Sequence, residues 1–265
     1  MVSGRVLAAG TATAPHPDLR LALVLIALVA LAAAASYVGR LGVERNHVTA
    51  GVRATVQLGI VSLVIAVALE SVWWSVAFVG LMFVVASVTS AGRLRLPRRQ
   101  LPWVMLAVAA GSMPVLALVL GSGTVPFNGP GVLPIAGIVI GNTMTAATLT
   151  GRRAFDELAG HFGVYEAGLA LGLVSPEASY EVIQPTAKEA LTPGLDQTRT
   201  VGLVTLPGAF IGVLLGGGTA LQAGAAQILV LMGLMAGQAL TAAVLLRLVA
   251  GARVVRVDLA DRYPR

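Results

Sequence analysis

The sequence contains no cysteine, and this absence excludes disulfide bonds and thiolate metal sites. Charged residues are also scarce: they make up 11% of the 265 residues, whereas hydrophobic residues make up 57%. A soluble globular domain carries about 25% charged residues, so the composition indicates a membrane protein. The formal net charge is +6, but the basic residues are spread between apolar runs and form no stripe that would bind nucleic acid.

Lysine is nearly absent as well, since Lys188 is the single one. The phosphate-binding GxxxxGK[ST] loop requires a glycine before its lysine, and Ala187 stands there instead. We therefore expect the chain to bind no ATP and no other cofactor of its own. The three histidines are far apart without HExxH spacing, and no GxSxG elbow of a hydrolase is present. We assign no catalytic residue, and the sequence leaves any metal site unassigned.

Long apolar runs recur along the chain. A bilayer core about 30 Å thick requires roughly 20 apolar residues in a helix, so the runs predict an all-α, polytopic membrane bundle of about seven transmembrane helices. The predicted spans are residues 21–38, 54–70, 72–92, 101–121, 132–150, 200–218 and 224–246. The second and third runs almost touch, and we expect the chain to reverse at Glu70, where Trp73 and Trp74 suit a membrane surface.

Arginine and lysine fall mainly on one side of this predicted bundle. Seven crossings place 16 of the 18 basic residues in the loops 39–53, 93–100 and 151–199 and in the tail after 246. Because basic loops tend to stay in the cytoplasm, we predict an external N-terminus and a cytoplasmic C-terminus. The alternative that 19–36 belongs to a cleaved signal peptide would leave a basic segment outside, against this pattern.

The sequence predicts one membrane domain with two tails. The domain covers residues 21–250 and includes the long polar segment 151–199 as a cytoplasmic coupling loop. Residues 1–20 and 251–265 are expected to form flexible, solvated ends, the second of them in the cytoplasm.

Small residues within the spans favour close helix contacts. Gly137 and Gly141 lie four residues apart, so they share one helix face and permit another helix to approach closely. The same spacing relates Gly212 to Gly216 and Gly233 to Gly237.

The amide side chains within the predicted spans include Gln57, Asn142 and Gln238. An unpaired amide in hydrocarbon is costly, so each must face a partner helix or water. An interhelical hydrogen bond and a place on a transport pathway both remain open for them. Pro207 belongs to the same group of candidates and is expected near a helix start, where its missing N–H costs little.

The polar segment 151–199 carries signals for short helices. The SPE motif at 175–177 predicts a helix start with the serine hydroxyl as N-cap. Thr186 and Glu189, just after Pro185, predict a second start with a capping box.

The stretch EAGLALGLVSPEASYEVIQP, residues 166–185, resembles the cytoplasmic signature of bacterial ABC-transporter permeases. That signature reads Glu-Ala-Ala, three residues, glycine, nine residues and Ile-x-Leu-Pro, and Gly168 and Gln184 depart from it. The resemblance implies a short helix that docks in a groove of a separate ATP-binding subunit. The residues carrying this coupling role are Glu166, Ala167, Gly172, Val182 and Pro185. The alternative is an amphipathic helix on the lipid surface.

Three further stretches narrow the resemblance: RATVQL at 53–58, LPIAGIVIGNTM at 133–144 and TVGLVTLPG at 200–208. With them the chain resembles the FetB-like permeases of a bacterial iron exporter, whose plant relatives act in aluminium tolerance, over about residues 20 to 250. The resemblance implies a homodimer in the bacterial plasma membrane that exports iron, together with two copies of a subunit that uses ATP. No iron ligand set is visible in the sequence. Another metal or a nucleotide sugar as cargo, and a passive channel or scaffold, therefore remain open.

Overall fold

The computed structural model describes residues 18–263, and its regular elements within this range are helices, apart from an isolated bridge between Val201 and Thr205. The α-helices are α1 (Leu19–Val38), α2 (Glu44–Glu70), α3 (Val72–Arg93), α4 (Leu101–Gly121), α5 (Gly129–Gly160), α6 (Phe162–Ala170), α7 (Ser175–Ile183), α8 (Thr186–Thr200), α9 (Gly208–Leu215) and α10 (Ala220–Ala250). One-turn 3₁₀ helices at Arg98–Gln100 and Val257–Leu259 precede α4 and follow α10.

The membrane helix bundle predicted from hydropathy is confirmed. Within the described range, 6 helices are long and apolar enough to cross a bilayer. They are α1, α2, α3, α4 with its preceding turn, α5 and α10, and they contain six of the predicted spans.

The predicted span at 200–218 is not a continuous helix. α8 ends at Thr200, Val201 is extended, and Gly202 has a φ of 81°, a conformation that favours glycine. Pro207 is again extended and starts α9, which has 8 residues. Such a helix is about 12 Å long and cannot cross a 30 Å core alone.

The chain divides into two compact units, and the first contains Met1–Ala68. Its described part is the pair α1 and α2. Asp18 caps α1, because its carboxylate accepts a hydrogen bond from the Leu21 N–H at 2.9 Å. The two helices meet where a Cβ on Gly51 would lie 2.8 Å from Cγ2 of Val29. Glycine therefore sets their close approach.

The second unit, Leu69–Arg265, is built around α4, α5 and α10. α10 packs along both α4 and α5, and α3 packs against the same two helices. Its buried side chains form two clusters, one around Phe155 and Leu245 and the other around Ile140 and Leu234.

A very close contact between α4 and α10 occurs at Gly111. A Cβ at this position would overlap both the Thr241 hydroxyl oxygen and the Gly237 carbonyl oxygen, and it would lie 3.1 Å from Cγ2 of Thr143 on α5. The three central helices therefore meet where they carry the smallest residues, and the close approach predicted from Gly233 and Gly237 is observed.

α5 and α10 run in the same direction through the second unit. At the end where they finish, the Tyr263 hydroxyl after α10 donates a hydrogen bond to the Leu158 carbonyl of α5 at 2.8 Å. We call this the knob end. Because both helices finish there, residues 161–219 must return to the opposite end. They do so through α8, which packs on α5 and α10, and through α9, which packs on α10. The helices α8 and α9 of this returning segment are separated by the break at 201–207.

The expected flexibility of the C-terminal tail is wrong for its described part. Val254, Leu259 and Tyr263 are buried, and the Val255 N–H donates a hydrogen bond to Oε1 of Gln100 at 3.0 Å. The tail folds because it carries enough apolar side chains to bury against the bundle. The N-terminal residues 1–17, for which flexibility is also predicted, lie outside the described residues.

Candidate functional site

The predicted coupling residues lie on or beside a helical hairpin at the knob end. It consists of α6, the turn 171–174 and α7, and we call it the coupling knob. A Cβ on Gly168 would lie 3.1 Å from the Ala178 Cβ, so glycine at this departure from the permease signature lets α6 and α7 approach closely. Gly172 has a φ of 93° and reverses the chain between the two helices.

The two predicted helix starts in this region are confirmed, but the predicted N-caps are wrong. Ser175 is the first residue of α7 rather than its N-cap, and its hydroxyl forms a hydrogen bond with the Tyr165 hydroxyl at 3.0 Å. Thr186 likewise lies inside α8, and its hydroxyl donates to the Ile183 carbonyl at 2.6 Å. Glu189 pairs with Arg153 instead of completing a capping box. The side chains expected as caps therefore form hydrogen bonds or an ion pair with neighbouring elements.

The predicted coupling residues divide between the surface of the knob and its core. Glu166 and Ala167 are exposed on α6, and Gly172 forms the turn. Val182 is buried in the cluster that joins α7 to α5 and α10. Pro185 is exposed and directly precedes α8.

The turn side of the coupling knob is apolar. Leu171, Leu173 and Val174 are all exposed there, and Leu171 is 86% exposed. We call these three side chains the apolar tip.

The C-terminal tail clamps α6 through a cluster of three rings. The Tyr263 ring lies 4.7 Å from that of Tyr165 and 5.5 Å from that of Phe162, measured between centroids. Burial and the neighbouring Tyr165 raise the pKa of Tyr263 to about 12, so its hydroxyl stays protonated and keeps donating to Leu158.

Removing the Tyr263 hydroxyl should loosen this clamp. In Tyr263→Phe the rings remain, but the Leu158 carbonyl loses its donor. We expect a loss of about 1 kcal/mol in stability, measured as a lower thermal unfolding midpoint of the detergent-solubilised protein. Tyr37→Phe, at an exposed tyrosine, is the control. Equal midpoints for the two variants would contradict the clamp.

Two of the predicted pathway residues meet in the middle of the second unit. Nε2 of Gln238 donates a hydrogen bond to Oδ1 of Asn142 at 3.3 Å, and Nδ2 of Asn142 donates to the Ile138 carbonyl at 2.9 Å. Gly194 of α8 lies directly against this amide pair, because a Cβ there would overlap Oε1 of Gln238. A cavity of about 150 Å³ beside the pair is also lined by Thr145 and Gln197.

The sequence profile of the "Uncharacterised protein family (UPF0014)" matches residues 19–253. The chain belongs to this family. It is 33% identical over 211 residues to UPF0014 membrane protein STAR2 of Oryza sativa subsp. japonica, covering 79% of this chain and 74% of STAR2. It is 31% identical over 216 residues to Protein ALUMINUM SENSITIVE 3 of Arabidopsis thaliana, covering 81% and 79% of the two chains. No solved structure matches it.

A bacterial relative carries a functional name. The "Probable iron export permease protein FetB" of Escherichia coli (strain K12) is 28% identical over 204 residues, which cover 76% of this UPF0014 chain and 78% of FetB. The resemblance to FetB-like permeases and their plant relatives is therefore confirmed. The chain is a multi-pass membrane protein whose relatives include a transporter permease.

The remaining pathway candidates of this UPF0014 protein make no contact of this kind. Gly137 faces the mobile end of Met82 on α3, and a Cβ on Gly141 would meet no atom within 4 Å. Pro207 precedes α9 in the break, and Gln57 is exposed on α2 in the first unit.

Gly194 and Gln197 could not be selected from hydropathy, because α8 is polar. The available signal was the Pro193-Gly194 pair within an amphipathic helix. Ala190, Gly194 and Gln197 recur at helical spacing and line the cavity beside the amide pair.

Proposed function

We propose that this protein is the membrane permease subunit of an ABC transporter. A separate subunit hydrolyses ATP, and the cargo is iron, exported from the bacterial cytoplasm across the plasma membrane. The name of FetB supports the cargo and the direction. The name of ALUMINUM SENSITIVE 3 supports a wider metal range, so another metal is the second cargo to test.

The observation that carries the proposal is the apolar tip of the coupling knob. Exposed apolar side chains on a firmly held hairpin outside the membrane are the features a helix-in-groove contact needs. Burying a leucine such as Leu171 in a partner's groove contributes about 1.5–3 kcal/mol.

Coupling then follows from what the knob is attached to. Val182 joins α7 to α5 and α10, and α7 leads through Pro185 into α8, the helix that precedes the break at 201–207. Closure of the ATP-binding subunits moves the knob, and the break at 201–207 lets α8 shift without dragging a continuous helix. Two copies of the permease, each with its own ATP-binding subunit, complete the proposed transporter.

A charge on the apolar tip should uncouple the two subunits. We expect Leu171→Asp to fold and insert normally, because the side chain is exposed, but to lose the copurifying ATP-binding protein at least about tenfold, equivalent to roughly 1.4 kcal/mol of lost contact. Gly172→Leu, which strains the turn, should act in the same direction.

Val257→Asp is the matched control, since Val257 is an exposed apolar residue of the tail at the same end of the bundle. Both variants are purified through an affinity tag and compared by the amount of ATP-binding protein and the ATP hydrolysis recovered. Equal recovery of the ATP-binding protein with Leu171→Asp and Val257→Asp would contradict the docking role of the apolar tip.

A further inference from the structure

Helix α8 has two faces of different character. Ala190, Gly194 and Gln197 line the cavity beside the Asn142–Gln238 pair; Ala190 is buried, and Gln197 is exposed at the edge of this face. Lys188, Thr192, Asp196 and Arg199 lie on the remaining surface of the helix and are exposed. Asp196 and Arg199 form an ion pair at 3.2 Å, with side chains 56% and 72% exposed.

The contacts of α8 give the depth of this ion pair. Glu189 in its first turn pairs with Arg153 of α5 at 3.3 Å. Arg153 marks the membrane surface at the knob end, because the sequence around it is charged while the residues before it are apolar. Asp196 lies seven residues further along α8, or about 10 Å deeper at 1.5 Å per residue.

The contacts on the opposite face of α8 also place this part of the helix below the membrane surface. Gly194 contacts Gln238, and Gln197 shares a cavity with Asn142. Asn142 is eleven residues before Arg153 on α5, about 16 Å into a core about 30 Å thick. The ion pair therefore lies well inside the membrane.

Hydrocarbon is an unsuitable surrounding for these side chains. A charged side chain at the centre of a membrane helix costs about 2.5–3.5 kcal/mol, and such residues normally face a protein interior or water. The backbone that follows these residues supports the same conclusion. The break at 201–207 is irregular and exposed, with Leu203 91% exposed, and irregular backbone at membrane depth is tolerated only inside protein or beside water.

We infer that the outward face of α8 lines a water-filled cargo pathway through the membrane, where the Asp196 carboxylate binds a cationic cargo in exchange for Arg199. This inference rests on the proposed transport function and deepens it. A carboxylate oxygen is a suitable ligand for a hard cation, and Arg199 occupies that carboxylate while the cargo is absent. The amide pair Asn142–Gln238 seats α8 on its other side.

Thiol labelling tests the pathway without any transport measurement. The chain has no cysteine, so Leu195→Cys introduces a single thiol beside Asp196. Leu106→Cys is the matched control, because Leu106 is exposed on α4 and lies about 8 Å from the start of that helix. In inside-out vesicles, a charged maleimide should label the thiol at 195 at least about tenfold faster than the thiol at 106. Equally slow labelling at both positions would overturn the water-filled pathway.

Transport measurements test the role of Asp196. The assay is ATP-driven uptake of Fe²⁺ into inside-out vesicles that contain the whole transporter. Asp196→Asn should lower uptake on the order of tenfold or more, while Asp196→Glu should retain a measurable part. Glu189→Gln, which removes the acid at the membrane surface, is the control and should retain uptake.

The two hypotheses fail in different ways. If the wild-type transporter takes up no Fe²⁺ with ATP, the proposed function with iron as cargo fails. If wild-type uptake is driven by ATP and Leu171→Asp abolishes it, but Asp196→Asn transports normally, the role of Asp196 alone is overturned.

Discussion

Gly111→Leu should prevent the second unit from packing. The new side chain would start inside the space of the Thr241 hydroxyl and the Gly237 backbone, and a backbone carbonyl in the middle of α10 cannot move aside. We expect a destabilisation of about 4 kcal/mol or more, at the upper end of single-residue effects. The measurement is the fraction of expressed protein that remains monodisperse after detergent extraction, together with its thermal unfolding midpoint.

Gly80→Leu provides the matched control for this prediction. Gly80 is also a glycine within an apolar crossing helix, but a Cβ there would meet no atom within 4 Å. This variant should extract and unfold like the wild type. If Gly111→Leu behaves like Gly80→Leu, the close approach of α4 and α10 is incorrect.

Gly194→Leu should abolish transport while leaving the bundle folded. A side chain at this position displaces the Gln238 amide, breaks its bond to Asn142 and lifts α8 from α5 and α10. Leaving buried amides unpaired costs about 1–3 kcal/mol, but leucine is the better helix former by roughly 1 kcal/mol, so the net change in stability is small. Uptake of Fe²⁺ should fall on the order of tenfold or more. A free-energy change of about 1.4 kcal/mol against the seated position of α8 already corresponds to a factor of ten.

The control for Gly194→Leu is Gly141→Leu, at a glycine next to Asn142 where a Cβ would meet no atom within 4 Å. The two variants are compared for uptake and for the thermal unfolding midpoint. Full uptake by Gly194→Leu would show that the seating of α8 on the amide pair does not matter for transport.

Hydropathy is sufficient to predict the long apolar helices of this protein, but it does not predict the polar helix α8. Runs such as 101–121 and 224–246 are apolar throughout, so their length alone indicates a crossing. The sequence of α8, TAKEALTPGLDQTRT, is polar on average, so hydropathy assigns it to the loop 151–199 although it packs on α5 and α10. Its position becomes visible only through Gly194 and Gln238, which are 44 residues apart in the chain.

Some residues of the candidate site can be selected from the sequence, whereas the roles of others depend on packing. Asn142 and Gln238 could be selected from the sequence, since an amide in an apolar span must find a partner, but their pairing across 96 residues depends on the packing of α5 against α10. Gly111 carries no local signal at all, because its role arises where three helices meet. The tail is predicted to be flexible, whereas Val254, Leu259 and Tyr263 are buried in the structure.

The most direct test of the central claim is the nucleotide dependence of metal movement. Inside-out vesicles from cells that produce this chain with its ATP-binding partner are given Fe²⁺ and either ATP or ADP, and the iron retained inside is measured. The account predicts uptake with ATP only, and loss of that uptake in Leu171→Asp. Iron uptake that is the same with ATP and ADP, and unchanged in Leu171→Asp, would contradict it.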